Sequence, residues 1–531
     1  MYTNADDGNG QQLYPEIPPA LTTRYAAQVW RAWGGVFIFA MLISLVAYGI
    51  ALTGAIISID EEIHSGRTGA TIQWIAQDRW GMYLLNWLLL PNPVLPFLPL
   101  VVGLFANATA ATVAVSLWCT SKATPREYLA AAFIVITPVS AFVHQFDTSQ
   151  YGFFIGVLAS VLSVKLFVNA TIRSRLLGLV LLVFAISVYQ AVALVAVVSY
   201  LVWFLGKGIL QEVHLNTPKR LIINGLLFGA WLITGAVLHK LSALLTRTLF
   251  TNGDGYSLVD GLYDGELPRK SNAFFNTIKE YFWAGMWPMG WQTTVLVSIA
   301  ALATIVVIVS NHKRNNQFKL LGIAAMFGIF VSPFLLVILT SFPWPTRTML
   351  GIPFAIAGLV WIGLACKALL LRWALVLASI VCSWHYVESI NRLMYSDLLS
   401  WQHDHDVALQ LQEHIITERG TDSGDFRIIV IGAYTPPATP AIRRIETIGA
   451  SIFEWDRGNP YRVAAILKFL GSDEASGPSL PGDIETALGV FPSMPMWPID
   501  GSVKSVGDVV IVKFGDPTHP QQALFKKHGL N

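Results

Sequence analysis

Apolar runs close to twenty residues long recur through the first three-quarters of the chain, each closed by a short polar or basic turn. A run of that length carries an α-helix across a hydrocarbon layer roughly 30 Å thick. It lacks the period-two alternation of a barrel strand. Spans are expected at about Trp33–Ile57, Val94–Trp118, Tyr128–Val143, Tyr151–Val168, Leu221–Leu245, Thr293–Val309, Leu320–Leu339, Leu350–Cys366 and Trp373–Tyr386. The run 176–206 is interrupted at Tyr189-Gln190 and reads as two short spans, which makes about eleven in all. Two stretches between spans are long and mixed. Residues 58–91 interleave charges with Trp74, Trp80, Tyr83 and Trp87, as interfacial helices do. Residues 248–291 form a polar loop that closes on Tyr281, Trp283, Trp287 and Trp291.

The pattern changes after the last span. Residues 391–424 read as an amphipathic helical linker, and 425–531 hold strand-like runs such as Arg427–Ile431 and Val509–Val512 among Pro and Gly. The expected fold class is therefore an all-α polytopic membrane protein, 33–390, with a small C-terminal α/β domain, 425–531, and a polar N-terminal tail, 1–32. No internal repeat is visible.

Composition agrees. The 531 residues are 54% hydrophobic and only 13% charged, against about 25% charged in soluble domains. A net charge of +2 gives no global attraction for nucleic acid. Cys119, Cys366 and Cys382 lie in or beside apolar runs and form no CxxC pair. Lys and Arg mark the turns after every second span, which places the N-terminus in the cytoplasm by the positive-inside rule. Loops 58–91 and 248–291, Arg347 and the C-terminal domain then fall on the opposite, extracytoplasmic face.

Candidate chemistry gathers on that face. Ser58-Ile59-Asp60-Glu61-Glu62-Ile63-His64 follows the first span directly. Acids at a helix end are ordinarily a solvated cap, but these lead into an interfacial stretch, where a carboxylate can become a general base. Arg67, Arg79 and Arg347 are candidate phosphate clamps, because a guanidinium bonds phosphate oxygens in pairs. Snorkelling at the interface is the competing use of these arginines. His144, Gln145, Asp147, Tyr151, Tyr189 and Gln190 are polar groups at span ends, suited to a cavity or to helix contacts. His403-Asp404-His405-Asp406 resembles a metal cluster but reads as a solvated helix face. No Walker loop, GxGxxG, GxSxG or HExxH is present.

Four motifs in order then carry a resemblance: Ser58–His64, Asp78-Arg79-Trp80-Gly81, Phe146-Asp147-Thr148-Ser149-Gln150-Tyr151-Gly152, and Ile186-Ser187-Val188-Tyr189-Gln190-Ala191. Together they resemble the glucosyltransferase II family, membrane enzymes that glucosylate O-antigen, related to the GT-C glycosyltransferases. The resemblance implies a hexosyltransferase of the bacterial inner membrane with a polyprenyl-phosphate sugar donor, glucose being the expected hexose. It implies a surface-glycan or lipid-linked acceptor, with a donor synthase and a flippase as partners. Asp60 and Glu61 become the candidate catalytic acids, although the family's second acid is commonly Asp. Glu62, His64, Arg79, Asp147, Tyr151, Tyr189, Gln190, Lys279 and Arg347 become candidate substrate-binding residues. A divalent cation at Asp60/Glu61 stays open. Alternatives are a GT-C transferase for another sugar or acceptor, such as teichoic acid or protein, and a lipid or glycan transporter.

Overall fold

The structure is a computed structural model that describes all residues except 1–22, 55, 66–71, 91–96, 120–121, 170, 211–216, 252–266, 284, 286, 312–314, 341–343, 421–423, 438 and 528–531. Among the described residues, nine helices are long and apolar enough to cross a membrane. The protein is a polytopic helical membrane protein with a four-stranded sheet at its C-terminal end.

The membrane helices in chain order are α1 (Thr23–Tyr48), α2 (Leu98–Trp118), α3 (Pro125–Ile136), α4 (Gln150–Val168), α5 (Ile172–Val188), α6 (Ala193–Trp203) and α7 (Pro218–Phe250). After α8 (Leu267–Phe282) come α9 (Gly290–Val309), α10 (Asn316–Val331), α11 (Gly351–Gly363) and α12 (Leu369–Arg419). Each expected apolar run is helical over most of its described residues. Helices α3, α6 and α10 reach spanning length with the short helical segments adjoining them, as Pro125–His144, Gln190–Leu210 and Asn316–Ile338, whereas α5, with 17 residues, and α11, with 13, stay below it. Every residue of α11 is buried, which is why its sequence is apolar on all sides.

Polar residues start the helices where the runs begin. Thr124 and Glu127 form a capping box ahead of Pro125, and the side chains of Thr171, Thr217 and Asn315 accept from the first free N–H groups of α5, α7 and α10. Small residues set the closest approaches. A Cβ at Gly358 would lie 2.2 Å from Val202, so α6 and α11 touch backbone to side chain there.

Two boundaries differ from expectation. Helix α1 starts at Thr23, inside the stretch read as tail, and residues 1–22 lie outside the described residues. The last span and the expected linker are one uninterrupted helix, α12, of 51 residues. No Gly or Pro interrupts 369–419, and the polar side chains of its outer half face a partner instead of ending it.

That partner is the C-terminal domain. Its sheet has the order β2–β1–β4–β3, from β1 (Phe426–Ile431), β2 (Ala475–Ser476), β3 (Val503–Val506) and β4 (Val509–Lys513). β1 runs parallel to β2 and β4, with Ile429 opposite Ile511, and β3–β4 is antiparallel. Both faces of β1 and β4 are buried, so these strands read as continuous Ile/Val runs. On one face Ile428, Val430, Val510 and Val512 pack with Val407, Leu411 and Ile415 of α12, and Ile59 joins the same core. Ile59 of the acidic stretch is thus an anchor for the C-terminal domain.

Candidate active site

The three consecutive acids meet three environments. Asp60 has a left-handed backbone, φ 82°, a conformation in which Asp is enriched over most side chains. Its side chain is 47% exposed. Glu61 is buried. Its Oε1 accepts from Thr148 N (2.6 Å) and Oγ1 (2.9 Å), and its Oε2 from Ser58 N (3.2 Å) and Oγ (3.0 Å). Glu62 is fully buried against Arg462. Burial raises the pKa of Glu61 in spite of its four hydrogen bonds. Burial also pushes Glu62 up to about 7, with Arg462 opposing the rise.

Arg462 comes from α13 (Pro460–Phe469), some 400 residues along the chain. It is buried at 5% exposure, and each arm of its guanidinium is used. Nη2 bonds Asp60 Oδ1 at 2.8 Å, Nη1 bonds Glu62 Oε1, and Nε bonds Asp456 Oδ2 at 2.8 Å. Three carboxylates around one cation hold its charge firmly and raise its pKa further. The only side-chain partner of Asp60 among the described residues is this arginine, and it occupies one of the two carboxylate oxygens.

Beside Asp60 lies a cavity of about 650 Å³ between the membrane helices and the C-terminal domain. Asp60, Tyr281, Trp287, Arg347, Glu446 and Trp455 are among its lining residues. Glu61 and Glu62 are not. The far wall is the 443–453 segment, which α12 holds through four positions on its outer half. Ser396 Oγ donates to Arg443 O (2.9 Å), Asp397 Oδ1 accepts from Gly449 N (3.0 Å), and Ser400 Oγ donates to Ala450 O (2.8 Å). Asp404 accepts from Ser451 Oγ and Ile452 N, both at 2.6 Å. Asp404 is therefore buried, a correction to the solvated face expected for 403–406. These contacts present Glu446, whose carboxylate accepts from Thr346 N (2.9 Å) and Thr346 Oγ1 (2.6 Å), next to Arg347. Gln145 Nε2 adds a bond to Thr447 Oγ1 at 2.8 Å.

The basic and aromatic wall joins residues far apart in sequence. Arg347 lies beside the hydroxyl of Tyr189, and its guanidinium is 5.2 Å from the Phe146 ring. The guanidinium of Arg79 sits 4.9 Å from the Tyr189 ring and 5.6 Å from that of Trp74. Tyr189 thus links the two arginines. Asp78, also left-handed at φ 61°, pairs with Lys240 (3.0 Å) and Arg247 (3.1 Å) of α7. That fixes the turn from which Arg79 departs.

The remaining candidates scatter. Gln190 Nε2 donates to Gln77 O at 3.1 Å and braces the same turn. Asp147 accepts from Gln150 Nε2 at 2.6 Å, and burial, with Glu61 and Asp397 nearby, raises its pKa. Tyr151 is buried with Asn86 as its hydrogen-bond partner, a core contact away from the cavity. Lys279 is exposed, and its neighbours Thr277, Glu280 and Tyr281 line the cavity instead. The side chain of His64, and Arg67 altogether, lie outside the described residues. Among the described residues, no three His, Cys, Asp or Glu groups are placed to hold a metal. Glu61 has both oxygens saturated and Asp60 faces a guanidinium, so this pair does not suit a hard cation, which takes about six oxygens.

Glu446, Arg462 and the α12 contacts were not anticipated. They come from a part of the chain whose local sequence carries no signal for a site.

The profile of the family described as glucosyl transferase GtrII matches residues 49–364. No curated protein matches the chain. The matched region holds the acidic stretch, Arg79, Tyr189 and Arg347, and it ends before α12 and the domain that supplies Glu446 and Arg462.

Proposed function

From a chain that belongs to the GtrII glucosyl transferase family, we propose transfer of a hexose, glucose by family, from a polyprenyl-phosphate donor to a hydroxyl of a surface glycan such as O-antigen. One observation carries the reading. Of the three acids, Asp60 alone lines the cavity that Arg347 also lines.

Asp60 takes the proton of the acceptor hydroxyl as its oxygen attacks C1 of the donor hexose. The C1–O bond to phosphate breaks with its electron pair, and polyprenyl phosphate leaves. Arg347, backed through Tyr189 by Arg79, stabilises the charge that builds on the leaving phosphate. Arg462 keeps the Asp60 carboxylate oriented, while its second oxygen serves the acceptor. Glu61 shapes the loop through Ser58 and Thr148. No step runs through a metal. We place this site on the extracytoplasmic face of a bacterial inner membrane, supported by the Lys and Arg bias of the opposite turns. The wall of Trp287, Trp344, Trp455 and Tyr281 suits a sugar ring, which presents an apolar face with hydroxyls around it.

The test is purified full-length protein in detergent with radiolabelled polyprenyl-phosphate glucose, mannose and galactose, and with surface polysaccharide as acceptor. Transfer of label to polysaccharide without sealed vesicles is expected. Label that never leaves the lipid under any pairing overturns the reading.

A further inference from the structure

The C-terminal domain carries a second cavity, of about 580 Å³, whose lining includes Asp456, Asn459, Tyr461, Ser479 and Thr518. Tyr461 dominates it. The residue is 59% exposed, yet it is pinned. Its hydroxyl donates to Pro478 O at 2.7 Å, and its backbone N–H goes to Asn459 Oδ1 at 2.9 Å. The ring lies against Gly477, where a Cβ would come within 2.2 Å of a ring carbon. One face of the ring is therefore covered by bare backbone and the other is open. A surface aromatic fixed in this way has already lost its rotamer freedom, so a ligand stacking on it loses less entropy.

This cavity neighbours the first. Trp455 lines one and Asp456, the next residue, lines the other. Arg462 bonds Asp60 with one nitrogen and Asp456 with another, both at 2.8 Å. The two carboxylates are thus a single guanidinium apart, and each keeps about half its surface open, 47% for Asp60 and 48% for Asp456. Polar groups ringing an open aromatic face match a pyranose, which stacks on its C–H face and bonds through its hydroxyls.

We propose that this cavity is a glycan subsite that holds the acceptor polysaccharide one or more sugars away from the hydroxyl presented to Asp60. The assignment rests on the glycosyl-transfer reading above. It gives the C-terminal domain a task of its own, namely selecting long acceptors over short ones. An extended chain passes from Asp60 over Asp456, the two carboxylates that Arg462 holds from beneath, and its outlying ring lies on Tyr461.

The probes are surface polysaccharide released by mild acid and its size-fractionated fragments, from one repeat unit to many. The protein is the full chain in detergent. Binding is followed by tryptophan fluorescence, since Trp455 stands between the cavities, and transfer by label uptake. Wild type should bind long fragments about tenfold more tightly than one-unit fragments, the worth of one good aromatic contact. In Tyr461→Ala the KM for long fragments should rise by about that factor, with kcat and the one-unit KM unchanged. Tyr461→Trp should restore the difference, which separates the lost platform from a misfolded domain. A length preference that survives Tyr461→Ala, equal losses for short and long fragments, or binding to anionic lipid vesicles with none to glycan would each overturn the subsite. If fragments bind with the expected length preference but no label moves, the subsite stands and the transfer reading falls.

Discussion

Asp60→Asn separates catalysis from architecture, because the acids beside it have opposite surroundings. The substitution keeps volume, and the amide oxygen still accepts from Arg462. The Asp60 side chain is 47% exposed, so its ion pair contributes at most about 1 kcal/mol to folding after solvent screening. Melting should shift by only a few degrees. The lost function is proton acceptance, and removal of a general base slows a reaction by about 10²–10⁴, or about 3–5 kcal/mol of barrier. Glu61→Gln should do the reverse. The carboxylate takes two donors on each oxygen, among them the backbone N–H groups of Ser58 and Thr148. An amide has one acceptor oxygen, so one N–H meets an NH₂, at a cost of about 1–3 kcal/mol for each buried group left unsatisfied. Stability should fall while the rate per folded molecule holds within about threefold. Single-turnover transfer in detergent, beside thermal unfolding of the same samples, reads both quantities. If Asp60→Asn keeps wild-type rate, or Glu61→Gln loses the rate with its melting unchanged, Asp60 is not the base.

Arg347→Gln should lower kcat/KM for the lipid donor by about 10–100-fold, the worth of one charge-assisted bond, and leave the acceptor KM alone; a shift in the acceptor term instead would move Arg347 to the other substrate. Burial holds the pKa of Glu62 near 7, above its ordinary 4.5, so the folded state binds that proton more tightly than the unfolded one. The stability this confers is complete below about pH 4.5 and is lost as pH rises through about 7. Wild type should therefore lose melting temperature relative to Glu62→Gln across that window, and a difference independent of pH would contradict the burial argument. Asp404→Ala leaves Ser451 Oγ and Ile452 N without their buried acceptor, about 1–3 kcal/mol each. Hydrogen exchange in 443–453 should rise and transfer should fall with membrane insertion intact; unchanged exchange would mean that α12 does not hold that wall.

The membrane region was legible because lipid leaves the backbone few choices. An apolar run of sufficient length must satisfy its own N–H and C=O groups, and a helix does so. The local motifs were legible too, since Asp60 and Tyr189 stand at span ends and Arg79 and Arg347 in loops between spans, where charged groups stand out. What could not be read was the division of labour inside Asp60-Glu61-Glu62. It is decided by Thr148, Ser58 and Arg462, and the last of these lies some 400 residues away. Tyr151 and Lys279 show the other side. Each looked suitable by type and position, yet one turns into the core and the other faces away from the cavity. Polar residues near membrane depth announce that they have a partner, but packing chooses which partner it is. The outer half of α12 misled for the same reason, because acids and serines facing a buried loop look in sequence like acids and serines facing water.

At 1.5 Å per residue, the 51 residues of α12 make a rod about 77 Å long, far more than a roughly 30 Å hydrocarbon layer needs. Such a rod fixes azimuth as well as height. One residue inserted between its membrane half and Ser396 would advance the outer half by about 1.5 Å and swing it through about 100°. The C-terminal domain, held to Ser396, Asp397, Ser400 and Asp404, would turn with it and carry Glu446 from Thr346 and Arg462 from Asp60 and Glu62. Four inserted residues would come within about 40° of a full turn and lift the domain by about 6 Å. The chain tolerates length changes in this helix only in near-whole turns, much as a threaded shaft seats its fitting once per revolution.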